Sequence, residues 1–268
     1  MRKQKQFGWA LGWGVFLVAA VGIGCAGGGA GTLGDNGTTT GTSTGTTSGG
    51  TSGDTAGGRG CTADEFQPNY VREMRNTTSA IRLRSWDSFP ITIWVDRTAP
   101  WSSEREAAAL QGFSRWESAL PNQVRFQFVS NPDQADIRVE FVPQSELGGR
   151  TVGLTSSTFE VVTGRMIDAQ IQLAIDSPDS NDSYTAADLR ATAVHEMGHA
   201  LGIAGHSPEI ADVMYFANRL EELTLADVNT LRTAYCDVFS ARSRADGKRV
   251  ALSPTRTEAI RCEHSHRR

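Results

Sequence analysis

Residues 195–206, HEMGHALGIAGH, constrain this chain more than any other segment. On a helix, residues four apart share a face, so His195 and His199 can direct ring nitrogens to one point. Gly202 accepts a backbone conformation with positive φ, which ends the helix and turns the chain back toward His206. Three imidazoles around one ion leave one coordination position open, which is typical of a catalytic rather than a structural zinc site.

Two further residues extend this pattern. Glu196 lies about 100° round the helix axis from His195, so it stands beside the metal without binding it and is placed to take a proton from water. Met214 follows His206 after eight residues. An alternative ligand set has only the two helical histidines, completed by Asp212 or water.

The segment HEMGHALGIAGHS, followed by DVMY, resembles the metzincin clan of zinc endopeptidases. The clan motif is HExxHxxGxxH with a downstream Met-turn. Ser207 and the Met-Tyr pair at 214 and 215 make the chain most similar to the matrixin family, and the likeness extends over residues 90–235. One departure is Gly205, which stands where the family has its third histidine. A bulge at this glycine can absorb the extra residue before His206.

The resemblance implies a zinc-dependent endopeptidase that acts on protein or peptide substrates. It implies one catalytic Zn²⁺ bound by His195, His199 and His206, with Glu196 as general base and then as proton donor to the leaving amine. Met214 would form an apolar floor beneath the metal. Matrixins also carry a second, structural zinc bound by histidines, and we predict that it is absent because no histidine precedes His195.

The resemblance also implies how substrate would bind. An extended peptide would lie along an edge strand, which we place at the strand ending near Ile175. One of its side chains would enter a pocket walled by Tyr215, Phe216 and the residues that follow. The context of Cys61, GRGCTAD, does not resemble the family's inhibitory switch peptide, so any latency must have another source.

Hydrophobic periodicity predicts an α/β fold, and the resemblance implies that it is of the zincin type. Alternation predicts strands, apolar residues at helical spacing predict a backing helix before the active-site helix, and a capping pattern at Thr224 and Asp227 starts a C-terminal helix. The order indicates a mixed sheet. The resemblance implies that this sheet is mostly parallel and twisted. We expect strands at 91–96, 123–129, 136–142 and 164–175 and helices at 102–120 and from Thr185, with a glycine-containing loop at 143–163.

The first 60 residues differ in composition from the rest. Residues 1–25 have a basic head and an apolar run, the layout of a secretory signal, with an uncleaved membrane anchor as the alternative. Cys25 ends this run and resembles the lipidated cysteine of bacterial lipoproteins, the alternative being cleavage and release. Residues 26–60 are rich in Gly, Thr and Ser, which predicts a flexible linker. We therefore expect an exported protein that contacts a membrane only through a lipid anchor, or is secreted.

The catalytic domain is predicted at residues 61–236, with a basic, polar and loosely ordered tail at 237–268. The four cysteines of an exported chain favour a disulfide, for which we choose Cys61 and Cys236 because they bracket the folded region. The flanking segments 1–60 and 237–268 carry charges of +2 and +4 in a chain of net −4, so residues 61–236 carry −10. Such an acidic domain argues against nucleic acid as a partner. We expect a monomer.

The acidic segment DSPDSNDS is a second candidate cation site. Asp176, Asp179 and Asp182 offer carboxylates of the kind that calcium prefers. The alternative is a solvated acidic turn. For the whole protein, the alternative to an enzyme is a catalytically silent surface lipoprotein that uses the same fold as a binding module.

Overall fold

The computed structural model describes residues 66–73, 83–98, 100–161, 163–217, 219–241 and 254–263. All of these belong to one compact unit, Thr51–Arg268. The predicted signal, the lipidation site Cys25, the linker 26–60 and Cys61 lie outside the described residues. No helix within the described ranges is long and apolar enough to cross a bilayer.

A six-stranded sheet forms one layer of the fold. In chain order its strands are β1 (Ile91–Val95), β2 (Phe126–Phe128), β3 (Ile137–Val142), β4 (Thr151–Glu160), β5 (Met166–Ala174) and β6 (Thr255–Glu263). The spatial order is β2-β1-β3-β5-β4-β6. The β1–β2, β1–β3 and β3–β5 pairs are parallel, whereas β4 runs antiparallel to both β5 and β6. The predicted α/β class with a mixed, mostly parallel sheet is confirmed.

Helices carry the rest of the architecture: α1 (Ser103–Ala119), the short α2 (Gln144–Leu147), α3 (Ala186–Ala200) and α4 (Leu225–Ala241). Helix α1 packs against α3, and α3 also contacts β4 and β5. The alternating pattern of β3 places its apolar residues on one face, as expected: Ile137, Val139 and Phe141 are buried in one core. Helix α3 is therefore held between α1 and the sheet.

Buried polar groups fix the position of α3 within this core. The indole of Trp116 donates to the carbonyl of Val194 at 2.8 Å, and the indole of Trp86 donates to that of Ala200 at 2.9 Å. At its start, Thr185 and Asp188 form a reciprocal capping box, as the sequence predicts for a helix from Thr185. Helix α3 thus has fixed ends, which limits movement of the side chains it presents.

The structure corrects the expectations for two strands. The expected loop at 143–163 contains α2 and the ten-residue strand β4. Strand β5, which ends next to Ile175, is not an edge strand, because β3 and β4 flank it. An extended peptide cannot pair with β5, since its backbone groups already form ladders on both sides.

The C-terminal segment also differs from expectation. The predicted loosely ordered tail begins inside α4, which continues to Ala241, and its residues Thr255–Glu263 form β6 at one edge of the sheet. Burial alternates along the second half of β6, where Glu258, Ile260 and Cys262 are less exposed than their neighbours, as in a strand with one exposed face. The basic composition of the tail conceals this pattern.

The cysteines are only partly described. Cys236 is disulfide-bonded, and its partner lies outside the described residues. The pairing with Cys61 therefore stays a prediction. Cys262, in β6, keeps its thiol and is completely buried.

Candidate metal centre

Three histidine rings meet at the end of α3. The ring centroids lie 4.7 Å apart for His195 and His199, 5.3 Å for His195 and His206, and 5.0 Å for His199 and His206. One nitrogen from each ring lies within 4.8 Å of the other two. The structure therefore brings together all three histidines that the sequence singles out, across the one-residue departure at Gly205.

The hydrogen bonds of two rings determine which nitrogen faces the centre. His195 Nδ1 lies 2.7 Å from the carbonyl oxygen of Val213, and His199 Nδ1 lies 2.6 Å from that of Ile203. A carbonyl oxygen only accepts, so each Nδ1 carries the proton and each Nε2 presents a lone pair. The two Nε2 atoms are 3.1 Å apart. Two lone pairs at this distance repel unless a cation lies between them.

The donor set fits a zinc ion. Nitrogens bound to a tetrahedral zinc at about 2.0–2.1 Å lie about 3.3 Å apart, close to the Nε2 separation here. Within the described part of the chain, the buried Nε2 of His206 has no hydrogen-bond partner. Unpartnered buried polar atoms are costly, and a cation shared by three lone pairs removes this cost.

Burial keeps these imidazoles in the neutral form that binds metals. It lowers the pKa of His195 to about 3, with a further lowering from His206, and lowers that of His206 to about 4. The pKa of His199 is also lowered by burial and by the neighbouring histidines. A metal ion thus has little competition from protons near neutral pH.

Glu196 lies against the sheet beside the histidines. Thr155 in β4 donates to its Oε2 at 2.6 Å, whereas its buried Oε1 has no partner among the described residues. Burial raises the pKa of Glu196 to about 8. Gly153 lies two residues before Thr155 on β4, and a Cβ at this position would overlap the Glu196 carboxylate. Strand β4 can therefore approach Glu196 closely only because residue 153 is glycine. One carboxylate oxygen is therefore held and the other is available to a proton donor.

A glycine turn brings His206 back to α3, as predicted. Gly202 has φ of 114°, a value that only glycine adopts readily. Its carbonyl accepts from the backbone N–H of Arg84, and a Cβ at this position would overlap the Arg84 carbonyl. Both the backbone angle and this contact exclude a side chain at residue 202.

Asp212, in the loop after His206, is engaged in hydrogen bonds within that loop and with Thr224. Asp212 accepts from the hydroxyl of Ser207 on one oxygen and from that of Thr224, at 2.7 Å, on the other. Asp212 belongs to none of the possible metal-binding clusters among the described residues. The alternative ligand set with Asp212 in place of His206 is therefore not supported.

Comparison with known proteins identifies the family. The matrixin family model, Peptidase_M10, matches residues 85–236, more than half of the chain. The chain belongs to the matrixin family. The predicted resemblance to matrixin-like metzincins is thereby confirmed.

Two plant proteins are among its similar relatives. Metalloendoproteinase 1-MMP of Arabidopsis thaliana is 32% identical over 127 residues, which cover 44% of this chain and 34% of the relative. Metalloendoproteinase 4-MMP of the same plant is 33% identical over 112 residues, covering 39% of this chain and 31% of the relative. The chain thus spans about a third of the length of these relatives.

The methionine of this matrixin lies under the histidine helix. Met214 is fully buried, and a Cβ added at Gly198 would overlap its sulfur. The Met214 carbonyl accepts from the N–H of Ser207 at 2.8 Å, which closes the loop that carries His206. Tyr215 and Phe216 follow, with ring centroids 4.7 Å apart, and Phe216 is 44% exposed. The two predicted pocket residues therefore stand together at the surface beside the site.

Asp227 ties this loop to α4. Its carboxylate accepts from the N–H groups of Val213 and Met214, at 3.0 and 3.3 Å, and from the N–H of Thr224 at 2.9 Å. It also accepts from the Tyr70 hydroxyl at 2.9 Å. Burial raises the pKa of Asp227, while these donors oppose the shift. The expected cap at the start of α4 is thus also the support of the methionine loop.

Replacement of Asp227 with alanine is expected to lower the free energy of unfolding by about 3 kcal/mol, because several buried donors lose their acceptor. The measurement is denaturant unfolding. Asp188→Ala removes the same capping motif from the more exposed start of α3 and is the control, with an expected cost of about 1 kcal/mol. Equal losses in the two variants would contradict the supporting role of Asp227.

The acidic segment does not join the metal centre. Asp176 accepts from the N–H of Gln144 at 2.8 Å, Asp179 from that of Asn181 at 3.3 Å, and Asp182 lies 3.8 Å from Arg219. None of the three belongs to a possible metal-binding cluster within the described ranges. Calcium binding at this segment stays a prediction.

Cys262 lies beside the site and was not predicted, like Thr155 and Gly153 of β4. Cys262 forms a second cluster with His195 and Glu196, in which the sulfur, a ring nitrogen and a carboxylate oxygen all lie within 4.8 Å of one another. The sequence pattern gave no signal for it, because Cys262 follows His195 by 67 residues and lies in the segment expected to be a loose tail. The pairing of β6 with β4 brings it there.

Proposed function

We propose that this matrixin is a zinc-dependent endopeptidase that hydrolyses peptide bonds of protein substrates. The observation that carries the proposal is the convergence of three histidine nitrogens, with the buried carboxylate of Glu196 beside them but outside their cluster. A bound zinc supplies a Lewis acid, which acidifies water and polarises a carbonyl. The family membership and the two metalloendoproteinase relatives support the same activity.

The chain's own residues then have distinct roles. His195, His199 and His206 would hold the zinc, and the carbonyls of Val213 and Ile203 orient the first two rings. Glu196 accepts the proton of the attacking water on Oε1 and passes it to the leaving amine. Thr155 holds the other oxygen, so the carboxylate keeps its orientation through both proton transfers. A nearby cation favours the charged carboxylate, which offsets the burial that raises its pKa.

The proposal predicts that activity depends on the metal. The zinc-loaded protein is expected to cleave casein, to lose cleavage in a chelator and to recover it when zinc is restored. Cleavage that persists after complete zinc removal would refute the zinc mechanism. Zinc-loaded protein that cleaves no peptide would favour the silent binding module. Hydrolysis only of small esters or amides would indicate a hydrolase that is not a peptidase.

Zinc is also expected to stabilise the fold. A ligand present at 1,000 times its Kd adds about 4 kcal/mol to the free energy of unfolding, which corresponds to roughly 10 °C in Tm for a domain of this size. Thermal unfolding of the metal-free protein with and without zinc measures this shift. The same experiment with magnesium is the control, because magnesium prefers oxygen ligands and should leave Tm unchanged.

We further propose that the protein is exported and acts at the cell envelope or outside the cell. The support is the sequence of residues 1–25 and the following linker. If Cys25 carries the lipid, Cys25→Ser should move the protein from the membrane fraction to the soluble fraction. Membrane association unchanged by this substitution would contradict lipidation.

A further inference from the structure

A segment without regular structure follows the methionine loop. In the part of the chain that the structure describes, it comprises residues 215–217 and 219–223, and none of these belongs to a helix or strand. We call it the wall segment, because it begins with the two aromatic residues beside the site. Its first residue forms a β-bridge with Ser207, which directly follows His206. The position of the wall segment therefore shapes the space next to the metal centre.

Apolar packing holds only part of the wall segment. Leu223 packs against the main core, but Phe216 and Leu220 are 44% and 40% exposed. Side chains that stay this exposed bury little apolar area and so contribute little to holding a segment in place. Polar contacts therefore matter more for the middle of the wall segment than for the helices and strands around it.

Glu221 ties the middle of the wall segment to two helices. Its Oε2 accepts from Nε of Arg190 in α3 at 2.9 Å and lies 3.6 Å from a guanidinium nitrogen of Arg115 in α1. The distance to Arg190 is that of a charge-assisted hydrogen bond. Helices α1 and α3 pack against each other, so the two arginines stand on one support.

The contact of Glu221 differs from an ordinary surface ion pair. The side chains of Glu221 and Arg190 are 22% and 27% exposed, so solvent and salt screen their attraction only in part. A carboxylate shared by two guanidiniums also divides the entropy cost of ordering its side chain between two contacts. Glu222, the next residue, shows the contrast: it lies 3.0 Å from Arg115 but is 78% exposed.

Helix α3 links this contact to the metal centre. Arg190 lies five residues before His195 on the same helix. The helix that presents two of the three histidines thus also holds the wall segment through Glu221. Residues on a loop bind substrate best when a rigid scaffold positions them, and a small misplacement of a bound substrate is costly. Loss of the contact between Arg190 and Glu221 would free the wall segment without a change at the histidines.

We propose that Glu221 is a specificity-determining positioning residue, which Arg190 and Arg115 hold so that the wall segment keeps a fixed place beside the metal centre. This inference rests on the proposed function. Within the described residues, Glu221 belongs to no possible metal-binding cluster, so it acts through the wall segment. It then affects how tightly a substrate side chain is bound and which side chain is preferred, and it leaves the chemical step unchanged.

The first test is peptide hydrolysis by the zinc-loaded, full-length protein. The peptides differ by a change from leucine to alanine at each residue beside the cleaved bond in turn. Glu221→Gln keeps the size of the side chain and removes its charge. We expect KM for the preferred peptide to rise roughly 3- to 10-fold with kcat within about twofold, and the preference for leucine to fall by a similar factor.

Two further variants make this test specific. Arg190→Gln should have the same effect as Glu221→Gln, and the double variant should add little to either, because each single change already breaks the contact. Glu222→Gln is the matched control in the same segment and should have the KM and the preference of the wild type.

The second test needs no activity measurement. Amide hydrogen exchange of the same zinc-loaded proteins is recorded for residues 215–224. Glu221→Gln should raise the exchange rate of this segment several-fold and leave that of α3 unchanged, whereas Glu222→Gln should raise neither. Higher ionic strength should raise the rate in the wild type more than in Glu221→Gln, because salt weakens the ion pair that the variant lacks. Equal exchange rates in the wild type and Glu221→Gln would overturn the positioning role.

Different outcomes separate the two proposals. Hydrolysis with the same KM and the same preference in the wild type and Glu221→Gln would overturn the specificity role and leave the endopeptidase function intact. Zinc bound by all forms with no hydrolysis by any of them would refute the endopeptidase function and, with it, the specificity role. Faster exchange in Glu221→Gln would then still support Glu221 as the residue that holds the wall segment.

Discussion

Glu196→Gln is expected to lower kcat for peptide hydrolysis roughly 10²- to 10⁴-fold, the usual contribution of a general base. The amide keeps the size of the side chain and can still accept from Thr155, but it cannot take a proton from water. Glu196 does not belong to the cluster of three histidines that would bind the metal, so the zinc content of the variant should remain at the wild-type level. The measurement is steady-state hydrolysis of a peptide substrate together with zinc analysis.

The matched control for this change is Glu104→Gln. Glu104 is exposed in the first turn of α1, and its amide variant should have wild-type activity and zinc content. A Glu196→Gln protein that retains zinc and most of its activity would contradict the general-base role. Loss of zinc from Glu196→Gln would instead indicate that the carboxylate is a ligand.

His206→Ala is expected to weaken zinc binding by more than about 100-fold, because even the loss of an outer hydrogen-bond partner of a metal ligand costs roughly 10- to 100-fold. Activity should fall with it. His206 comes from a loop, so its removal leaves α3 and the two helical histidines in place. The measurement is competition for zinc with a chelator of known affinity.

The same substitution at His266, near the end of the chain, is the control and should leave zinc affinity unchanged. Unaltered zinc affinity in His206→Ala would contradict the three-histidine centre. It would favour the two-histidine alternative completed by water.

The local sequence predicts the metal centre well because its parts are close together in the chain. Residues 195–206 contain the helix pair, the glycine turn and the third histidine, and the positive φ of Gly202 follows from the need to return toward α3. The extra residue at Gly205 does not prevent convergence of the rings. Capping at Thr185 and Thr224 is likewise a local property and was predicted correctly.

Strand β4 could not be predicted from periodicity because both of its faces carry polar residues. Thr155 and Ser157 are fully buried yet hydrophilic, since Thr155 donates to Glu196 and Ser157 accepts from Arg84. A strand that supports a polar site lacks the apolar alternation that identifies other strands. Because β4 was missed, β5 was wrongly expected to be an edge strand.

The position of β6 depends on a pairing across a long stretch of chain. Cys262 lies opposite Gly153, 109 residues earlier, and nothing local to TRTEAIRCE specifies that partner. Its basic and polar residues suggested a solvated tail. The ion pair between Glu258 and the buried Arg84 shows instead that charged residues of this segment belong to the fold.

The central claim, a single zinc held by three histidine nitrogens, is tested most directly by X-ray absorption at the zinc edge of the purified, zinc-loaded full-length protein. We predict one zinc per chain with three imidazole nitrogens at about 2.0–2.1 Å. A first shell with only two imidazoles, or no bound zinc, would contradict the account.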